Sequence, residues 1–195
     1  GCQKPAAPPP PPATPEVYYT KPIVDTITDY EEFPGRTEAY RSVEVRARVT
    51  GYLDKVMFND GHEVEKDAVL FQIDPRPYQA EVDRANATLD QAIARETRLE
   101  ADYRRSRMSL NSGTVTREEY DRAAGDLAEA KAAVGITKAQ LERAKLDLEF
   151  TKVTAPIAGR ISRRMVDPGN LVKSDETMLT TIVALDPIYA YFDVD

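Results

Sequence analysis

The chain has 195 residues, 42% of them hydrophobic, with 26 Lys and Arg against 33 Asp and Glu for a net charge of −7. That is enough apolar material for a buried core, but a general grip on phosphate needs clustered positive charge, so nucleic acid is excluded as a partner. No run of eighteen apolar residues is present to cross a bilayer as a helix. With Cys2 the sole cysteine and His62 the sole histidine, no intrachain disulfide, Cys/His zinc cluster, resident metal or cofactor is expected.

Residues 3–16, QKPAAPPPPPATPE, contain five consecutive prolines and predict an extended polyproline spacer with a reach of roughly 40 Å. Ahead of it, Cys2 follows a small residue and precedes a polar tether, which resembles the cleavage point of a bacterial lipoprotein. Cys2 would then carry the lipid, and stable anchoring would follow from more than one acyl chain. From Val17 to Ala39, β-branched and aromatic residues alternate with polar ones around Pro22 and the PGR at 34–36, predicting two or more short strands. Residues 43–74 read as further short strands broken at NDG. His62 lies in DGHEVEKD at that turn, and no serine stands in a G-x-S-x-G setting, so the histidine reads as an exposed turn residue and not as a catalytic base.

The hydrophobic period changes at Pro77. Tyr78, Ala85, Ala92, Leu99 and Ser106 fall seven apart, interleaved with Val82, Leu89, Glu96, Tyr103 and Leu110, which is the apolar seam of a long helix. The segment NSGTVT at 111–116 breaks the pattern, and Thr116 with Glu119 three residues later forms a capping box. A second helix follows, with Tyr120, Leu127, Val134, Leu141 and Leu148 at one heptad position and Ala123, Ala130, Thr137 and Ala144 at the other. Each arm spans about 50 Å, and the short connector makes them antiparallel. Arg104, Arg105 and Arg107 gather beside the connector, with Arg117 across it; guanidinium groups suit paired contacts with carboxylates or carbonyls of a partner. Gly125 and Gly135 weaken the second helix by about 1 kcal/mol each relative to Ala, and mark a close approach or a bend, or else tolerated surface positions.

RVTGYLDKVMFNDG at 48–61 and PIAGRISRRMVDPG at 156–169 share one template, 108 residues apart: a glycine of the tight-turn kind, apolar residues two and six positions later, and a second glycine ten later. Val45 aligns with Val153, Ala47 with Ala155, Leu53 with Ile161, Val64 with Val172, Asp67 with Asp175 and, after one inserted residue, Ile73 with Ile182. Neither copy is large enough to bury its own apolar face. Each is therefore expected to form its own short sheet, the two facing each other as one sandwich with the hairpin inserted between them.

On these segments, together with GHEVEKDAVLFQIDPRPYQAEVDRA, SGTVTREEYD, LDLEFTKVTAPIAGRISRRMVDPGNLV and LDPIYAYFDV, the chain resembles the periplasmic adaptor subunits, or membrane fusion proteins, of resistance-nodulation-division tripartite efflux pumps. The resemblance implies an elongated α+β fold: a lipoyl-like β-sandwich split by a long antiparallel helical hairpin, plus strands of an incomplete β-barrel. The implied layout is a lipid anchor and Pro-rich linker at 1–16, membrane-proximal or barrel strands at 17–39, a first lipoyl-like half at 40–74, the hairpin at 75–151, a second half at 152–183 and further barrel strands at 184–195, with the chain a fragment that stops within the barrel.

The same resemblance implies a non-enzymatic function without cofactor: a periplasmic protein, tethered to the inner membrane through Cys2, that self-associates as a trimer or hexamer and links an inner-membrane transporter to an outer-membrane channel. In the family, the hairpin tip meets the channel through an Arg, a Leu four residues on and a Ser eleven after the Arg. These positions fall here on Arg105, Ser109 and Thr116; the Arg is kept and Thr retains the hydroxyl, Ser109 departs from Leu, and the adjacent Leu110 is the substitute, turned by about 100° on the helix. An acyl-carrier domain is a poor alternative, because no lysine stands between Lys66 and Lys131 to be modified. An adaptor of an ABC-type exporter or type I secretion system remains an alternative, since similar halves flank hairpins there too. A coiled-coil scaffold without transport leaves the duplicated motif unexplained.

Overall fold

The computed structural model describes Gly1 and residues 8–193; Cys2 lies outside the described residues. Ten strands and two helices follow in chain order: β1 (Gly35–Ala39), β2 (Ser42–Arg46), β3 (Gly51–Val56), β4 (Glu63–Val64), β5 (Val69–Ile73), α1 (Arg76–Asn111), α2 (Arg117–Glu149), β6 (Lys152–Thr154), β7 (Gly159–Ile161), β8 (Leu171–Val172), β9 (Met178–Val183) and β10 (Ile188–Phe192). The strands expected between Val17 and Pro34 do not form; residues 8–34 are neither helix nor strand, and Tyr18, Ile23 and Val24 are exposed. Alternation alone does not make a strand without a neighbouring edge to pair with, and none of the described strands pairs with residues 8–34. β1 instead pairs with β10, antiparallel, as a separate two-stranded sheet.

The remaining eight strands form two four-stranded sheets, ordered β2-β9-β7-β4 and β6-β5-β3-β8. This corrects the expectation of one sheet per copy. Each sheet takes two strands from each copy, and exchanging every strand for its counterpart (β2 for β6, β3 for β7, β4 for β8, β5 for β9) converts one sheet order into the other. The backbone repeats the exchange bond for bond. Leu53 N donates to Asn170 O at 2.9 Å and Ile161 N to His62 O at 2.9 Å, while Asp67 N donates to Ala155 O and Asp175 N to Ala47 O, both at 2.8 Å. A short copy has too few strands to satisfy its own backbone groups, so trading strands completes both ladders at once.

Side chains follow the same pairing. Leu53 and Ile161, Leu70 and Leu179, and Ile73 and Ile182 are all essentially inaccessible, and burying a chain of this size contributes about 1.5–3 kcal/mol. The copies differ at Phe71 and Thr180, both buried: Phe71 packs edge-on against Phe58 at 5.1 Å, whereas the Thr180 hydroxyl donates to Arg163 O at 3.1 Å.

The glycines of the template serve two purposes, and the first is not a turn. Gly51 and Gly159 open β3 and β7 where another segment comes close: a Cβ would lie 2.7 Å from the Ile73 Cγ2 methyl at Gly51 and 2.3 Å from the Val183 carbonyl oxygen at Gly159. The second pair, Gly61 and Gly169, has positive φ of 79° and 91°, which glycine adopts without steric cost.

Where the sandwich meets the hairpin, several contacts fix the base of the helices. The Tyr78 hydroxyl donates to Thr50 O at 2.6 Å, and burial pushes its phenol above the ordinary value, with the Asp147 carboxylate adding to the effect. Arg48 lies over the Phe150 ring, 5.0 Å from its centroid, a cation–π contact that joins β-strand loop to helix end. At the start of α1, Arg76 hydrogen-bonds both oxygens of Asp74 and holds its carboxyl down at about 2.

Candidate functional site at the hairpin tip

α1 and α2 are long because their seams satisfy each other. Every seam position read from the heptads, Glu96 included, is buried or half-buried, and Val82, Leu127, Ala130, Leu141 and Ala144 are the most deeply buried. Facing residues set the levels: the Arg95 guanidinium is 3.5 Å from Glu129, and near the far end the Tyr103 and Tyr120 hydroxyls are 2.9 Å apart with ring centroids at 5.5 Å. The hydrogen bond with Tyr103, followed by burial, pushes the Tyr120 phenol upward. Gly125 and Gly135 are exposed, and a Cβ at either would meet nothing within 4 Å, so within this chain they are surface positions and not points of close approach.

The connector is held by its own short polar residues. Thr114 N donates to Ser109 O at 2.9 Å, the Ser112 hydroxyl donates to the same oxygen at 3.0 Å, and Gly113 takes φ of 75°. Entry into α2 is the capping box: Glu119 N donates to the Thr116 hydroxyl oxygen at 3.2 Å and Thr116 N donates to the Glu119 carboxylate at 2.9 Å. These bonds hold the Glu119 carboxyl below the usual range and satisfy two amide donors that the helix start leaves free.

The predicted tip residues fall in distinct settings. Arg105 is exposed and paired with Asp102 one turn back, and Arg104 is paired with Glu100 at 2.7 Å. Arg107 forms no ion pair among the described residues, whereas Arg117 pairs with Asp121 at 3.5 Å and lies 6.0 Å from the centroid of the Tyr120 ring. Ser109 is half-buried, its carbonyl accepting both bonds of the turn; Leu110 is half-buried as the last member of the α1 seam; and the Thr116 hydroxyl is engaged in the cap. From Tyr103 to Arg117 there are four arginines and no Asp or Glu, but Asp102, Glu118, Glu119 and Asp121 flank the stretch, and three of the arginines pair with carboxylates within a turn. The sequence reading passed over Met108, which is 65% exposed. Its signal was an apolar residue off the seam, next to a turn.

A duplicated, strand-exchanged sandwich carrying a long hairpin is a distinctive architecture, and comparison with known proteins identifies the family that has it. A family model for the barrel-sandwich hybrid domain of RND membrane fusion proteins matches residues 41–184. The chain belongs to this family of RND-type membrane fusion proteins. It is 42% identical over 159 residues to the multidrug efflux pump subunit AcrA of Escherichia coli strain K12, covering 81% of this chain and 40% of that protein. It is 38% identical over 190 residues to the multidrug resistance protein MexA of Pseudomonas aeruginosa, covering 97% and 46%. The chain thus spans less than half the length of these two curated relatives. The crystal structure of a MacA-MexA chimera containing the Pseudomonas aeruginosa MexA α-hairpin domain superposes with a TM-score of 0.55 at 26% identity, covering 83% of this chain and 54% of the other.

Proposed function

We propose that this protein is a periplasmic adaptor that links an inner-membrane RND transporter to an outer-membrane channel in a tripartite efflux pump, without any covalent step. The observation that carries this reading is the hairpin itself: two arms of 36 and 33 residues, about 50 Å long, lift an arginine-bearing tip away from the sandwich. Membership of the membrane fusion family and likeness to AcrA and MexA support the same role. Anchoring through an acylated Cys2 fits a polar, Pro-rich tether that keeps the body clear of the bilayer.

Self-association is supported by the faces opposite the seams. Alanine occupies every seventh position of α1 from Ala80 to Ala101, and Gly125, Ala132 and Ala139 repeat the spacing on α2, all exposed. Such flat outer faces admit close lateral approach of a second copy's helix on either side of the hairpin, as a ring of adaptors around a pump requires.

Arg105→Asp tests the tip assignment. Because Arg105 is exposed, the variant should keep wild-type helicity by circular dichroism while dye accumulation in cells rises at least several-fold. Unchanged efflux would remove Arg105 from the channel contact.

A further inference from the structure

We infer that this chain can exchange halves with a second copy of itself, and that the connector at residues 112–116 is the lock that keeps it closed. The inference rests on the fold alone and is independent of the adaptor reading. In the sandwich, β2 pairs with β9, β3 with β8, β4 with β7 and β5 with β6. Outside it, β1 pairs with β10. Each of these pairings joins a strand before the connector to a strand after it, and the seam between α1 and α2 does the same. A second copy carries identical partners, so exchanging them replaces each contact by its equivalent, which is what makes such swapping a low-cost route to a dimer.

The helical period runs through the connector without losing count. Tyr78, Ala85, Ala92, Leu99 and Ser106 on α1 and Tyr120, Leu127, Val134, Leu141 and Leu148 on α2 belong to one series of sevens, with Gly113 at the step between Ser106 and Tyr120. The other seam position moves by one residue, from four after the shared one on α1 (Val82) to three after it on α2 (Ala123). A single helix from Arg76 to Glu149 would therefore carry both seams on one side. Two such helices, antiparallel and about 110 Å long, would restore between copies the pairs Arg95 with Glu129 and Tyr103 with Tyr120. A whole sandwich would stand at each end, built from the first half of one copy and the second half of the other. A turn has no need to preserve the count of sevens, whereas a continuous helix does.

What favours the closed chain is confined to the connector. Gly113 has a φ of 75° and Thr116 is extended, with ψ of 158°. The reciprocal bonds between Thr116 and Glu119 fix the start of α2. A continuous helix would abolish that cap, because Thr116 N would donate to the carbonyl four residues back, at Ser112. Gly113, Thr114 and Val115 also resist helix formation, the first through backbone freedom and the others through branching at Cβ. Everything beyond these few residues is indifferent to which copy supplies the partner.

The test uses the whole chain carrying Cys2→Ser, Arg95→Cys and Glu129→Cys, refolded at high concentration, treated with a short bis-maleimide and run on a denaturing gel. A closed chain, alone or lying beside another, joins its own two cysteines and migrates as one chain of 21.8 kDa. Exchanged chains are joined to each other and migrate at twice that mass. With the natural connector we expect mainly single chains, and adding Gly113→Ala with Thr116→Ala should raise the linked dimer by about ten-fold or more, since both changes favour the continuous helix. Deleting residues 110–116, one full heptad, removes the turn and keeps the count of sevens, and should give the exchanged dimer alone. A deletion variant that stays a folded single chain, or that does not fold, would overturn the exchange. No rise in linked dimer from the substituted connector would overturn its role as the lock.

Discussion

Gly51 and Gly159 occupy the same place in the two copies, yet the surroundings of their missing side chains differ. A Cβ at Gly51 would press on a methyl of Ile73, which can shift with its rotamer, whereas at Gly159 it would press on the Val183 backbone carbonyl, which can yield only if two strands part. Gly159→Ala should therefore cost about 2 kcal/mol or more in urea denaturation, near the upper range for overpacking, and Gly51→Ala clearly less. Equal losses at both sites would show that the duplicated strands have the same room. The sequence marked both residues as special but read them as turn glycines, because spacing reveals that a side chain is not tolerated and not what it would strike. Thr116 was fully legible: a hydroxyl residue three before a Glu at the head of an apolar period has one local meaning, and the capping box is present. Met108 escaped notice since heptad reasoning assigns importance to residues on the seam and discards those off it.

Among elements, the two helices could be read residue by residue, because an antiparallel pair is specified by local periodicity and one short turn. The small strands could be located but not arranged. Pairing between β3 and β8, or between β4 and β7, joins residues from opposite sides of the hairpin, and a repeat in the sequence is equally compatible with two separate sheets or two shared ones. The choice falls to backbone satisfaction across the whole sandwich. Val17–Pro34 shows the converse error, in which β propensity is present but no described strand pairs with the segment. For α2, the open surroundings of Gly125 and Gly135 lead to a definite expectation: Gly125→Ala and Gly135→Ala should each stabilise the hairpin by about 1 kcal/mol through helix propensity alone, seen as a higher melting temperature for the double variant. A lower one would mean that the outer face of α2 is tightly occupied by another helix in solution.

At the scale of the whole molecule, the sandwich and the hairpin depend on one another in a simple way. Inserting 74 or so residues between two copies is tolerable because both helices leave and return beside the same joint, where Tyr78, Arg48 and Phe150 tie their ends to the sandwich. Direction and reach of the tip are thereby set by the body, and a span of fixed length is what an adaptor between two membranes supplies. The most direct measurement removes part of that length without disturbing the seam. Since Arg95 faces Glu129 and Tyr103 faces Tyr120, residues 90–96 and 127–133 lie at matching levels, and deleting both heptads shortens the arm by about 10 Å while keeping every remaining seam pair in register. We expect the shortened protein to unfold cooperatively with wild-type helical signal per residue, and cells carrying it to accumulate dye as fully as cells lacking the protein. A folded, shortened hairpin that sustains full efflux would contradict the hairpin's role as the span to an outer-membrane channel.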